Sequence, residues 1–300
     1  VTLAAAFGFL PTDSFNVVAL IAVFVLIAVG LHLTFGLLDV VNLAHGEFLL
    51  IGAYTTYQVQ ESTGSVVLGM LLGPVVAALV GLAVERGILR FLYRRPLDSL
   101  LATFGLAVII RQVVQLLYSA NPRLVDDPIG GSFTVAGLNV PWWRLVVVLI
   151  AAAVVAAVAI LFARTRFGLE ARATVRNPTL AETSGINTAA VRATLFAVGA
   201  GVAGLAGAVL APLNTLDPQY GLLFLVNSFL VVILGGKGSL RGLVVAAVVL
   251  GGSLAILQFV ISTAVAQIVV LVIAVAGVRV RPVLARMIAE RRERRGAVPS

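Results

Sequence analysis

The chain predicts an all-α fold, a polytopic transmembrane helix bundle of about eight to nine spans. Three observations carry this. Of its 300 residues, 60% are hydrophobic and 11% charged, against roughly a quarter charged in a soluble domain. Apolar runs follow one another with little between them, and the longer ones reach the ~20 residues a bilayer-spanning helix needs. Eighteen of the 21 basic residues fall in four short polar segments, the kind of clustering that the positive-inside bias produces.

In order, the candidate spans are 16–37, 46–60, 66–84, 99–118, 143–163, 193–213, 223–236, 243–261 and 264–278. The second and seventh are short, so broken or short helices are expected near 38–60 and 223–242. The stretch Val1 to Asn16 lacks a basic n-region, and the run after it is too long for a cleaved signal peptide, so the first span is expected to be retained. Residues 1–300 are read as a single transmembrane domain, with the bilayer in place of a water-excluded core. The basic segments are 85–98, 164–192, 237–242 and the tail 279–300. With nine spans all four fall on one side, which places them in the cytoplasm, the N-terminus outside and the C-terminus inside. The tail suits the anionic inner membrane surface. The net charge of +8 does not indicate nucleic acid, because no aromatic and basic platform accompanies it. Cysteine is absent, which excludes disulfides and thiolate metal sites.

Segment 119–142 is the largest outer loop, rich in turn residues and ending near Trp142 and Trp143. The paired tryptophans suit an interfacial anchor. The loop reads equally as a connector and as a docking surface. In the sixth span, Ala200, Gly204 and Ala208 are spaced by four, as are Gly199, Ala203 and Gly207. Such stripes let helices approach closely, which predicts a tightly packed and oligomeric bundle. NLAHGEFLLIGAY, after the first span, and VILGGKGSLRGLVVAAVVLG, late in the chain, each join a glycine-broken turn to a short apolar segment. Paired interruptions of this kind point to a transporter's substrate path.

Asp39, Asn42, His45 and Glu47 stand between apolar runs, where polar groups are costly and are functional candidates. Two readings fit: Asn42 and His45 cap or hydrogen-bond a broken helix, or the turn lines a translocation path with Glu47 holding its geometry or touching a substrate ammonium. His45 and Glu47 point to different helix faces, and His32 is the only other histidine, so no metal site is expected. Arg111 lies within a span. It either pairs with Glu47 or Asp39, or snorkels to the outer interface. The GGKGS run at 235–239 is not a phosphate loop, since the positions needing Gly and Ser/Thr hold Val231 and Gly238. No catalytic motif is present, so no enzyme is indicated. In 164–192, Asn177 and Pro178 start a helix and Gly185 stops it. That helix is too short to stand alone, so it is expected to dock on something through Leu180, Glu182 and Ile186.

Here the chain resembles a known family. GLEARATVRNPTLAETSGI, with NLAHGE, ATFGLAVIIR and ILGGKGSLRG in the same order, is similar to LivH-type permease subunits of ABC importers for branched-chain amino acids. The resemblance implies a bacterial plasma (inner) membrane protein with a second, probably different permease, two cytoplasmic ATPase subunits and an external substrate-binding protein. ATP is then used by the partner subunits, and no cofactor is bound by this chain. The resemblance also implies coupling to the ATPases through Arg172, Arg176, Asn177, Pro178, Leu180, Glu182, Gly185 and Ile186. Urea and short-amide importers have very similar permeases, so the solute stays open. An ion-coupled carrier, relaying protons through Asp39, His45, Glu47 and Arg111, is the reading from another class.

Overall fold

The computed structural model describes residues 10–296 apart from 39, 94, 136, 137 and 237. These residues are almost wholly helical. Helix α1 (Leu10–Leu31) runs into a π-helical stretch, His32–Leu37. After a break come α2 (His45–Thr63), α3 (Val66–Gly87), a 3-10 turn at Leu89–Phe91, and α4 (Pro96–Tyr118). A two-stranded antiparallel hairpin, β1 (Ser132–Val135) and β2 (Leu138–Pro141), precedes α5 (Trp142–Arg164). Two short helices follow, α6 (Arg166–Arg176) and α7 (Pro178–Thr183), and then α8 (Thr188–Leu210). The chain ends in α9 (Tyr220–Gly235), α10 (Leu240–Gln258) and α11 (Thr263–Gly296).

Six helices among the described residues are long and apolar enough to cross a membrane, and two shorter apolar helices, Tyr220–Gly235 and Thr263–Arg279, stand beside them. Helix α2 is left out of this set because its second half is polar, with Thr55, Thr56, Gln58, Gln60 and Glu61. Length and composition alone therefore do not reach nine spans. The interruption expected near 38–60 is confined to 38–44, and α2 itself is unbroken. The one near 223–242 falls at 236–239, after a 16-residue α9. Helix α11 runs on through Gly296, so the described part of the basic tail is helical.

Helices α1 and α8 are the most buried, and α4 and α5 turn most of their surface outward. The small residues of α8 explain its place at the centre. A methyl group on Gly52 would stand 1.9 Å from the Gly204 carbonyl oxygen, and one on Gly207 1.9 Å from that of Leu49. Helices this close exclude side chains at the crossing, as small-residue seams require.

The contacts also reveal an internal two-fold relation. A methyl on Gly46 would meet the Gly221 carbonyl at 2.3 Å, and one on Gly221 would meet the Gly46 carbonyl at 2.1 Å. Gly30 and Gly199 face each other's carbonyls in the same reciprocal way. Ser65 caps α3 after Gly64 (φ +74°), and Ser239 caps α10 after Gly238 (φ +75°). So α1, α2 and α3 correspond to α8, α9 and α10. Gly30 also approaches Ala203 and Gly199 approaches Thr34, so α1 and α8 run antiparallel where they meet and the two halves are inverted. The sequence echo was therefore mispaired: His45-Gly46 matches Tyr220-Gly221, and GGKGS matches the turn at Gly64-Ser65.

The tryptophans at the start of α5 divide their roles. Trp142 is half exposed and stacks on Phe133, with ring centroids 4.5 Å apart, so it alone can serve as an interfacial anchor. Trp143 is buried and donates its indole N–H to the Val209 carbonyl at 3.1 Å. Trp143→Phe removes that buried bond and should cost about 1–3 kcal/mol. Trp142→Phe should be close to neutral. Thermal unfolding of the purified variants in detergent checks this, and equal midpoints would refute it.

Candidate functional site

The polar residues between α1 and α2 seal a break in the helix. The Asn42 side-chain oxygen accepts the Ala44 N–H at 3.0 Å, and the Asn42 carbonyl accepts the His45 N–H at 3.3 Å. The Leu43 N–H donates to the Thr103 hydroxyl of α4 at 3.1 Å, and that hydroxyl lies 3.3 Å from the Val41 carbonyl. The His45 Nε2–H donates to the Ile27 carbonyl of α1 at 3.1 Å, and the Ser228 hydroxyl of α9 reaches the same carbonyl at 3.3 Å. A carbonyl only accepts, which assigns the proton to Nε2. Backbone groups freed by the break thus find partners without water, as an apolar surrounding demands. Asn42 and His45 are fully buried. Neither side chain caps α2, whose N-cap is Ala44 without a side-chain bond; of the two readings open from the sequence, these contacts are those of a broken helix held by hydrogen bonds. Asn42 Nδ2 and His45 Nδ1 have no partner among the described residues. Asp39 lies outside the described residues.

Glu47 and Arg111 form an ion pair across α2 and α4, with Arg111 Nη2 donating to Glu47 Oε1 at 2.5 Å. The Glu47 side chain is 2% exposed and that of Arg111 24%. Pairing, rather than free snorkelling, accommodates the arginine. The exposed remainder of its side chain faces outward on α4, next to the exposed Gln112 and Gln115.

The coupling candidates lie elsewhere, at the arginine-rich end. Asn177 caps α7 by accepting the Leu180 N–H at 3.0 Å, with Pro178 in the first turn. Beyond Ser184 the chain turns left-handed at Gly185 (φ +84°). There the Ile186 N–H bonds back to the Ala181 carbonyl and the Gly185 N–H to that of Glu182, both at 3.0 Å. This pair of bonds is the Schellman stop, which favours glycine at that position. Ile186 packs toward Ala171, Val191 and Leu195, while Leu180 is 63% exposed. Arg172 turns back to bond the Phe162 carbonyl and so ties α6 to the end of α5. Arg176, Asn177, Pro178 and Glu182 are exposed.

Two cavities mark this end. One is lined by Leu37, Leu38, Tyr93, Glu182 and Arg192 among others, the second by Phe162, Arg172, Arg176 and Gly238 among others. Tyr93 donates to Glu85 at 3.0 Å, and Arg192 stacks 5.1 Å above its ring. Burial, and then the Glu85 charge, push the Tyr93 phenol well above its usual range. At the opposite end, Gln60 and Asp126 exchange two 3.0 Å bonds, and Arg123 pairs with Leu216 through the backbone. The structure thus separates the basic connectors from the 119–142 loop.

Sequence reasoning missed several participants. Thr103 and Ser228 are single hydroxyls in apolar runs and carry no local signal. Helix α6 did carry one: Thr165 caps it by accepting the Gly168 N–H at 3.1 Å, and buried Gly168, Ala171 and Thr174 recur at helical spacing. The hairpin was legible in the alternation of SFTV and LNVP, which pairs Phe133 with Val140.

A buried helix-break, inverted halves and segregated basic connectors define a multi-pass membrane transport protein. The chain belongs to the family described as branched-chain amino acid transport system / permease component, which it matches over residues 14–277. It is 25% identical over 265 residues to the high-affinity branched-chain amino acid transport system permease protein LivH of Salmonella typhimurium, covering 83% of this chain and 86% of that protein. It is 26% identical over 253 residues to LivH of Escherichia coli K12, covering 79% and 82%. It is also 25% identical over 244 residues to BraD of Pseudomonas aeruginosa, covering 76% and 80%. No solved structure matches the chain.

Proposed function

We propose that the chain is one permease of an ATP-driven importer that takes branched-chain amino acids from an external binding protein. Two cytoplasmic ATPase subunits work through α7, and a second permease completes the path. The carrying observation is α7 itself: a two-turn helix, capped at both ends, that projects an exposed Leu180 from the arginine-rich end. A short helix held this firmly by its caps yet bare on its outer side suits a separate subunit that pushes on it. The nine-span topology, with the N-terminus external, is supported by the inverted halves, since α1 and α8 are then the first and sixth spans and point in opposite directions. In this reading the polar turn from Asp39 to Glu47, with Arg111, lies against the translocation path. The carrier reading gains less support, because Glu47 is committed to Arg111 and His45 to the Ile27 carbonyl. Urea or a short amide remains the alternative solute for the same architecture.

The test is uptake of labelled leucine, isoleucine, valine and urea into vesicles holding the purified permeases and ATPases, with and without the binding protein and ATP. Uptake of leucine without ATP would overturn the reading. For the orientation, single cysteines placed in this cysteine-free chain give a direct check. In intact cells an impermeant thiol reagent should label Ser132→Cys and spare Thr183→Cys and Ser300→Cys. Labelling of Thr183→Cys from outside would invert the topology.

A further inference from the structure

We propose that the cavity behind α7 is a binding site for a free aliphatic α-amino acid arriving from the arginine-rich side, and that its occupation slows the transporter. The proposal rests on reading α7 as the ATPase contact. The cavity measures about 640 Å³, and Leu37, Leu38, Tyr93, Thr174, Glu182 and Arg192 contribute to its wall. That lies within the roughly 300–1,000 Å³ of small-molecule sites. Its polar groups are arranged for a zwitterion. The Glu182 carboxylate is placed by the Thr188 hydroxyl, which donates to it at 2.6 Å. Thr188 and Arg192 are four apart on α8, so they share a face, about 6 Å apart along the axis. A carboxylate and a guanidinium therefore both contribute to the wall of one cavity. They form no ion pair with each other within 4.0 Å. Tyr93 holds the guanidinium from below, its ring 5.1 Å away, while its hydroxyl is fixed on Glu85.

A simple anion would meet Arg192 but also the charge of Glu182, with Glu85 close behind. A simple cation would meet Glu182 but also Arg192. An α-amino acid satisfies both, its ammonium on Glu182 and its carboxylate on Arg192. Its aliphatic side chain then finds Leu37 and Leu38 at the end of the first span. Thr174, whose hydroxyl is buried without a partner among the described residues, offers one further polar contact. The same walls belong to α7 and to the end of α1, the two parts that must shift relative to each other if α7 transmits force. A ligand that fits between them in one arrangement favours that arrangement. Accumulated product would then restrain its own import.

The complete complex tests this in vesicles with the ATPase subunits facing outward and the loaded binding protein in the lumen. Leucine added outside should lower the stimulated ATP hydrolysis several-fold. Isocaproate, which lacks the ammonium, and leucinamide, which lacks the carboxylate, should leave it nearly unchanged. Arg192→Gln should hydrolyse ATP at the same rate with and without external leucine, and Arg192→Lys should recover part of the inhibition. Absence of inhibition in the wild type overturns the proposal. So does equal inhibition of Arg192→Gln, or inhibition by isocaproate as strong as by leucine. If the binding protein gives no stimulation, the importer reading has failed instead. The site is then decided by equilibrium binding of labelled leucine to the solubilised complex without binding protein. Binding that Arg192→Gln abolishes supports the site; binding that Arg192→Gln leaves unchanged, or none at all, refutes it.

Discussion

Arg111→Leu should sharply reduce the yield of folded protein, and a second change at Glu47 should restore part of it. The pair joins α2 to α4, which otherwise touches the bundle through a narrow stripe of Ser99, Thr103, Ala107 and Val114. Removing the arginine leaves Glu47 buried and without a counter-charge. Breaking a buried pair in this way typically costs about 3–5 kcal/mol, a large part of the stability of most folded proteins. The reverse change should be milder. Arg111 keeps a quarter of its side chain exposed and lies two turns from the end of α4, so an orphaned guanidinium can extend toward the interface. The predicted order of folded yield is wild type, then Glu47→Gln, then Arg111→Leu, with Glu47→Gln plus Arg111→Leu above the arginine variant alone. Size-exclusion profiles of a fluorescent fusion would measure it. An unchanged profile for Arg111→Leu would mean that the pair contributes nothing to folding.

How far this site was legible follows from the kind of signal each part gives. The spans were readable because apolar length is a local property: 66–84 became Val66–Gly87, and 99–118 became Pro96–Tyr118. The ends of α7 were readable because caps are local too, and Asn177, Pro178 and Gly185 perform as their residue types suggest. The Glu47–Arg111 pair could be nominated, because buried charges need partners and few were available. The choice between pairing and snorkelling needed the packing of α2 on α4. What stayed hidden was long-range. Nothing near Ile27 says that its carbonyl will take bonds from His45 and Ser228, and nothing near Gly46 says that Gly221 will lie against it. The inverted halves were obscured because their strongest common feature, a left-handed glycine followed by a capping serine, occupies two residues in each half. The rest of the correspondence lies in backbone approach, which many apolar sequences satisfy equally well.

Gly185→Val should lower substrate-stimulated ATP hydrolysis and uptake together while leaving the membrane bundle folded. Gly185 stands at φ +84°, with nothing within 4 Å of where a Cβ would be. The substitution therefore meets no clash, and its effect is conformational. A left-handed backbone costs an ordinary side chain roughly 1–2 kcal/mol, and more for a β-branched one. The bonds from Ile186 to Ala181 and from Gly185 to Glu182 depend on that backbone, so the valine chain should leave the stop and splay α7 from the wall that Ile186 shares with Ala171, Val191 and Leu195. Since about 1.4 kcal/mol is a factor of ten, the docked form of α7 should lose roughly tenfold or more in population. Substrate-stimulated hydrolysis and uptake should fall together by a similar factor. Gly185→Asn should be tolerated better, because asparagine accepts the left-handed region. The measurements are stimulated hydrolysis and uptake of the reconstituted complex, with thermal unfolding as the control for the bundle. Wild-type values for both activities in Gly185→Val would take α7 out of the coupling path. A collapse of the unfolding midpoint would show instead that this turn belongs to the folding core.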